Sequence, residues 1–172
     1  MKKEVALRAL EPEDVDILYK WENDMALWIY SETLKPFSKQ QLKQYIQGIN
    51  LDIYQSKELK LLIESEGEQP SPIGIIDLFD FDPYHNRAGV GIMVHKKYEG
   101  YGYASAALDL FIDYCFNTLG IQQLYCSILV NNQKSIHLFE KKGFELTGIR
   151  KKWRKVGREY VDEGFYQLLN LR

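Results

Sequence analysis

The sequence has few of the features that mark membrane, secreted or nucleic-acid-binding proteins. No apolar run in its 172 residues approaches the ~20 residues that span a bilayer, so no membrane segment is expected. The basic residues at the N-terminus are not followed by the apolar stretch of a secretory signal, so none is expected there. The 22 basic residues nearly balance the 24 acidic ones, which gives no general attraction to nucleic acid. We therefore expect a cytosolic protein whose partners are recognised by local features.

Cysteine and histidine are too sparse and too dispersed for a disulfide framework or a metal site. Only two cysteines occur, Cys115 and Cys126, and each lies inside an apolar segment without a CxxC grouping. The three histidines have no metal-ligand spacing. We expect two buried free thiols and no metal.

What the chain does contain is the material for one hydrophobic core. With 45% hydrophobic and 27% charged residues, its composition is that of a globular protein. A chain of this length divides poorly into two cores, so we expect one domain over residues 1–172.

Apolar periodicity predicts an alternation of strands and helices along the chain. Turn and capping residues set their approximate limits. The predicted strands cover residues 5–9, 59–65, 73–81, 88–94, 124–130, 144–153 and 163–171, and the predicted helices cover residues 12–23, 38–49, 103–119 and 133–142. This order predicts a mixed α+β sandwich.

Two glycines lie between a predicted strand and the most regular predicted helix. Gly100 and Gly102 would let the backbone approach an anion closely, and the free N–H groups that open the helix favour negative charge. The segment is neither a dinucleotide fingerprint nor a P-loop, because no GK[ST] follows. Taken alone, it fits a phosphate site or a tight turn equally well.

A second motif follows one strand after that helix. Asn132 and Ser135 form an N-x-x-S pattern, and Gly143 is followed by Phe144. Together with the loop from Lys97 to Gly102, these motifs resemble the GNAT superfamily of N-acetyltransferases, closest to its ribosomal-protein-alanine and spermidine branches. The resemblance covers nearly the whole chain. It implies a mostly antiparallel sheet of about seven strands flanked by about four helices.

The resemblance also implies where acetyl-CoA would bind. Backbone groups of a splayed strand end would pair with pantetheine, and the glycine loop would cradle the pyrophosphate. Asn132 would reach the pantetheine, although it is equally suited to be a helix N-cap. The implied cofactor-binding residues are Ile92, Met93, Val94, Lys97, Gly100, Tyr101, Gly102, Tyr103, Ala104, Ser105, Asn132 and Ser135.

Acetyl transfer to an amine requires a base, because an alkyl ammonium group has a pKa of ~10.4. Relatives often carry a glutamate on the strand at 88–94, but that strand has no carboxylate here. We therefore expect the base on the neighbouring strand, at Asp77 or Asp80, with removal of the proton through water as the alternative. Asp82 precedes Pro83 and is interpreted as a turn residue.

The departing CoA thiolate also benefits from a proton. Relatives often supply a tyrosine from the short helix, where this chain has Phe139. The resemblance to ribosomal-protein-type relatives points instead to Ser135. The alternative for Ser135 is a hydroxyl that satisfies backbone groups of the first helical turn.

The segment at 21–37 is where relatives build the acceptor wall. Aromatic faces and carboxylates are mixed there, which suits a cationic amine. Core packing is the competing explanation, above all for the two tryptophans. The candidate acceptor residues are Trp21, Glu22, Asp24, Trp28, Tyr30 and Glu32.

These observations predict an N-acetyltransferase that moves an acetyl group from acetyl-CoA to a primary amine. A polyamine, another small cationic amine and a protein N-terminus are open as acceptors. The basic segment at 150–158 is interpreted as a solvated hairpin, with an acidic or RNA-bearing substrate as its alternative. A non-catalytic acyl-CoA-binding module and a ribosome-associated domain are the competing functions. Because the sheet has open edges, self-association is expected, most simply as a dimer.

Overall fold

A single seven-stranded sheet organises the molecule. The computed structural model describes residues 4–31, 33–48, 52–67 and 69–171. The strands are β1 Val5–Ala9, β2 Leu59–Ser65, β3 Ser71–Asp82, β4 Arg87–Val94, β5 Gln123–Leu129, β6 Glu145–Val156 and β7 Glu159–Leu169. Their order in the sheet is β1-β2-β3-β4-β5-β7-β6, and every neighbouring pair is antiparallel except β4 and β5. The predicted α+β class with a mostly antiparallel sheet is therefore confirmed.

Six α-helices are found in the described residues, where the sequence predicted about four. The helices are α1 Val15–Glu22, α2 Trp28–Ser31, α3 Lys39–Gly48, α4 Ile53–Ser56, α5 Tyr103–Asp113 and α6 Gln133–Glu140. The two additional helices, α2 and α4, have four residues each, which is too short for a helical repeat to be visible in the sequence. A 3-10 turn at Pro12–Asp14 leads into α1.

Local signals set the limits of the longer helices as predicted. The Ser38 hydroxyl accepts a hydrogen bond from the backbone N–H of Gln41 at 3.1 Å. In return, the side-chain oxygen of Gln41 accepts one from the backbone N–H of Ser38 at 2.9 Å. This reciprocal capping box opens α3. Helix α5 continues as one wider π-helical turn at Tyr114–Thr118, and Gly120 then reverses the chain at a φ of 65°.

The terminal strand pair is longer than predicted. Strand β7 begins at Glu159 rather than at residue 163, and β6 continues to Val156, so the basic segment belongs to the β6–β7 ladder. A bulge between Arg150 and Arg154 interrupts the pairing, and Lys152 inside it has a φ of 50°. A bulge breaks the two-residue alternation of side chains, so the sequence does not show a regular strand pattern in the second half of β6.

Helices cover both faces of the sheet. Helix α5 packs on one face against a core that includes Ile76, Leu78 and Val90. Helices α1 and α3 pack on the other face against Leu62 and Ile75. Both cysteines are unpaired and buried in the α5 core, as predicted. In the described part of the chain, no helix combines the length and the apolarity needed to cross a membrane.

Candidate functional site

The two parallel strands diverge and leave a cleft in the middle of the sheet. The described pairing of β4 with β5 joins only Arg87–Gly89 to Gln123–Tyr125. Beyond this point each strand has a free edge whose backbone groups can pair with an extended ligand. The cleft has a volume of about 110 Å³, and the residues that line it include Gly91, Ile92, Ser127, Asn132, Ser135 and Phe139.

The glycine loop leaves open space in front of α5. Gly100 and Gly102 have φ angles of 79° and 89°, a region that side chains strongly disfavour. A Cβ atom added to either glycine would have no other described atom within 4 Å, so the space in front of the helix is open. Because α5 begins at Tyr103, the N–H groups of its first turn point toward this space.

Helix α6 brings two polar side chains to the cleft. The Asn132 Oδ1 atom accepts from the Ser135 N–H at 3.3 Å, so the interpretation of Asn132 as an N-cap is confirmed. Both residues also line the cleft. Capping and ligand contact are therefore compatible at Asn132.

An ion pair ties α6 to the glycine loop. Lys134 Nζ lies 3.0 Å from Glu99 Oε2, and this hydrogen bond raises the pKa of Lys134. Because the lysine side chain is 89% exposed, the pair adds little stability. The contact holds the first turn of α6 next to the glycine loop.

Asp77, a candidate base on the neighbouring strand, lies beside a glycine of the cleft wall. It lies opposite Gly91 in the β3–β4 ladder, and a Cβ atom on Gly91 would come within 2.8 Å of the Asp77 Oδ1 atom. The carboxylate thus occupies the space above a cleft-lining glycine. Burial raises the pKa of Asp77, against the opposing effect of Lys60.

A group of charged side chains surrounds Asp77. Lys60 lies opposite it on β2, and Lys60 Nζ is 3.0 Å from Glu22 Oε1. Burial alone would lower the pKa of Lys60, but the charges of Glu22 and Asp77 help to raise it. Glu58 lies close enough to raise the pKa of Asp77 as well. Glu22 and Asp77 therefore both act on the Lys60 ammonium group, and Glu58 adds a third carboxyl group near Asp77. We call Glu22, Glu58, Lys60 and Asp77 the acidic cluster.

The other two aspartates of β3 lie elsewhere. Asp80 is exposed, has a φ of 49° at a break in the β3–β4 pairing, and is not among the described residues that line the cleft. Burial raises the pKa of Tyr125, and a hydrogen bond to Asp80 adds to the effect. Asp82 accepts the N–H groups of Tyr84 and His85 at 3.1 and 3.0 Å, which confirms it as a turn residue.

The candidate acceptor residues are spread over different environments. Trp21 is 7% exposed and belongs to the α1–α3 core, which favours the packing explanation for this residue. Trp28 is half-buried and donates from Nε1 to the Glu22 carbonyl at 2.8 Å. Asp24 is exposed and accepts the Ala26 N–H at 3.0 Å within a turn. Of the six candidates, Tyr30 lines the cleft, and Glu32 lies outside the described residues.

Among the cleft residues that the sequence interpretation did not assign to the site are its two charged ones, Arg154 and Glu163. Glu163 is 2% exposed, and its oxygens lie 3.0 Å from Arg150 Nη1 and 3.3 Å from Arg154 Nη1. Alternation along β7 places Glu163 on the same face as Val161 and Phe165. That alternation was the available signal, but β7 was predicted to begin only at residue 163.

Within residues 4–31, 33–48, 52–67 and 69–171, no three histidine, cysteine or acidic side chains are grouped as metal ligands. The described lining residues with hydrogen-bonding side chains are Tyr30, Cys126, Ser127, Asn132, Ser135, Arg154 and Glu163, and Asp77 lies beside Gly91 of the cleft wall. This set suits hydrogen bonding and proton transfer.

Comparison with known proteins identifies this architecture. The model of the acetyltransferase (GNAT) domain matches residues 4–145. A spermidine N(1)-acetyltransferase of Escherichia coli (strain K12) is 28% identical over 147 residues, covering 84% of this chain and 74% of that protein. A putative ribosomal N-acetyltransferase of Bacillus subtilis (strain 168) is 27% identical over 184 residues, covering 98% of this chain and 93% of that protein.

A solved structure shows the same fold. The spermidine N-acetyltransferase of Vibrio cholerae, crystallised with CoA and spermine, superposes with a TM-score of 0.87 at 24% identity, covering 96% of this chain and 95% of that one. The family model covers most of the chain, including the cleft strands, the glycine loop and α6. The chain therefore belongs to the GNAT family and is an acetyl-CoA-dependent N-acetyltransferase.

Proposed function

We propose that the acceptor is a small cationic primary amine, such as a polyamine or diamine, which attacks acetyl-CoA directly. The acidic cluster carries this proposal, because it places three carboxyl groups and one ammonium group beside the cleft. An excess of negative charge in a partly buried place attracts a cation. The similarity to spermidine N-acetyltransferases supports the same class of acceptor.

Acetyl-CoA would enter along the free edge of β4. Backbone groups of Ile92, Met93 and Val94 would pair with the pantetheine amides, and Asn132 would approach them from α6. The pyrophosphate would lie at the open space before α5, among the N–H groups of residues 100–105. Lys97 would lie at the entrance to this loop.

Asp77 would accept the proton of the amine. A carboxylate with a raised pKa is a better base near neutral pH than an ordinary aspartate, because its conjugate acid is less strong. It would also hold the ammonium form of the acceptor before attack. Activity should therefore rise with pH as Asp77 and then the amine lose their protons.

Ser135 would donate a hydrogen bond to the departing thiolate, directly or through water. Ser135→Ala is expected to lower kcat severalfold while the Kd for acetyl-CoA stays within about twofold, because the interaction develops mainly as sulfur gains charge. Single-turnover kinetics and calorimetry measure the two quantities. Equal single-turnover rates for the variant and the wild type would remove this role from Ser135.

The acceptor class is tested by release of free CoA from acetyl-CoA. The panel contains spermidine, a diamine, an aminoglycoside, a neutral amino alcohol and peptides with a free N-terminus. We expect kcat/KM to be highest for the polyamine or diamine and to fall at high salt, because charge attraction is screened. A peptide or a neutral amine as the best acceptor would contradict the proposal.

A further inference from the structure

The thioester reaction leaves a thiolate in the cleft. The conjugate thiol has a pKa of ~8.5 by analogy with cysteine, so a nearby proton donor assists its departure at neutral pH. Phe139 lies in the cleft wall and has no proton to give. A side-chain donor would therefore be one of the other residues that line the cleft.

The chemistry of those side chains narrows the choice. Burial raises the pKa of Cys126, which makes its thiol a poor proton donor. Glu163 accepts hydrogen bonds from two arginines, which is the arrangement of a carboxylate rather than a carboxylic acid. The hydroxyls of Ser127 and Ser135 can relay a proton but do not ionise in the ordinary pH range. Among the described residues of the cleft wall, one phenol is left, that of Tyr30.

Tyr30 is held in place by hydrogen bonds to the helix that carries it. At the start of α2, Trp28 Nε1 donates to the Glu22 carbonyl at 2.8 Å. In the middle of α2, the Ile29 carbonyl accepts from Arg154 Nη2 at 3.0 Å. Arg154 is itself bound to the buried carboxylate of Glu163. The 53% exposed Tyr30 therefore extends from a fixed backbone.

The position of the phenol agrees with a role near α6. The pKa of Lys134 is raised first by its hydrogen bond to Glu99, and Tyr30 is among the groups that raise it further. Tyr30 and Ser135, which lies in the first turn of α6, both line the cleft. A thiolate that leaves through this cleft therefore has both residues in its walls.

We propose that Tyr30 is the proton donor to the CoA thiolate, and that Arg154 and Glu163 act through it as positioning residues. This inference rests on the proposed amine acetylation. The amine nitrogen forms the new bond to the acetyl carbon, the carbon–sulfur bond breaks, and its electron pair stays on sulfur. Sulfur takes the phenolic proton. The nitrogen loses one proton to Asp77 before attack, and the proton it loses after attack returns to the Tyr30 phenolate through water.

Tyr30→Phe tests the proposal on whichever amine the wild type acetylates best. We expect kcat to fall at least ~10-fold at neutral pH, with KM for acetyl-CoA within about twofold, because a general acid acts only in the transition state. Tyr160→Phe is the matched control, since Tyr160 is similarly exposed at 59% but lies at the β6–β7 turn.

A double-mutant cycle tests the positioning residues. Arg154→Ala should lower kcat when Tyr30 is present and have much less effect in the Tyr30→Phe background, because its influence passes through the phenol. An unchanged kcat in Tyr30→Phe would overturn the proposal. An Arg154→Ala effect that is as large in the Tyr30→Phe background as in the wild type would also overturn it. Because the wild-type panel is measured first, failure of the acceptor assignment is seen separately from failure of Tyr30.

Discussion

Gly102→Val is expected to raise the Kd for acetyl-CoA by about 100-fold, a loss of about 2.7 kcal/mol. Gly102 has a φ of 89° directly before α5, and the space in front of it is open. A valine there would fill the space that we assign to the pyrophosphate and would resist the backbone angle that presents the N–H groups. Calorimetry with acetyl-CoA on the folded variant measures the effect.

Backbone strain alone would also destabilise this variant, so a matched control is needed. Gly157 has a φ of 63° at the β6–β7 turn and likewise has no other described atom within 4 Å of an added Cβ. Gly157→Val should cost similar stability while the Kd for acetyl-CoA stays within about twofold. Wild-type affinity in Gly102→Val, or an equal loss in both variants, would show that the loop does not bind the cofactor.

Asp77→Asn is expected to lower kcat/KM for the best amine at least ~10-fold, which corresponds to about 1.4 kcal/mol of transition-state stabilisation. The amide keeps the shape of the carboxylate and removes its charge and its basicity. Asp80→Asn is the control on the same strand, because Asp80 is exposed at a bulge and contacts Tyr125. An unaffected Asp77→Asn enzyme would mean that the acceptor site is misplaced.

Stability provides an independent readout for the same substitution. The pKa of Asp77 is raised on folding, mainly by burial, so the folded state holds its proton more tightly than the unfolded state. The contribution of Asp77 to the free energy of unfolding is therefore largest at low pH. It is lost as pH rises from the pKa of Asp77 in the unfolded state through its higher pKa in the folded state. An amide in place of the carboxylate avoids that loss, so the Tm of Asp77→Asn at neutral pH should equal or exceed that of the wild type. A lower Tm together with lower activity would indicate a structural role.

Local chemistry made the backbone of the glycine loop and the start of α6 predictable from sequence. Gly100 and Gly102 precede a helix with a clear apolar repeat, and their positive φ angles follow from that combination. The N-cap role of Asn132 and the capping box at Ser38 and Gln41 depend only on neighbours in sequence. Such features are short-range, and the residue types alone specify them.

The acceptor side could be predicted only in part. Alternation along β3 places Asp77 on the same face as Ile75, and the opposing strands supply Lys60 and Gly91. Asp80 is three positions after Asp77, so regular alternation places it on the other face, and the β3–β4 register also shifts after Phe79. A bulge of this kind depends on how the strands meet, and a single strand pattern does not reveal it.

Tyr30 and Glu163 illustrate what only the folded chain reveals. The hydrogen bond from Arg154 to the Ile29 carbonyl joins residues 125 positions apart. No periodicity connects a four-residue helix to the last strand pair, so the sequence offered Tyr30 as one of several aromatic candidates and did not suggest Glu163. Arg154 connects the two residues, since it bonds to the Ile29 carbonyl and to Glu163. Its position depends on the bulge in β6 and on the strand order β5-β7-β6.

The burial of both cysteines allows the activity of this enzyme to be measured through the thiol of released CoA. Cys115 and Cys126 are 0% and 3% exposed, and burial raises the pKa of Cys115 to about 12. Aromatic disulfide reagents that detect thiols react with accessible thiolates, so the native protein should give almost no change in absorbance. Such a reagent would report each molecule of CoA as it is set free, continuously and without correction for the enzyme. In denaturant, the same absorbance would count two thiols per chain and so titrate the unfolded fraction.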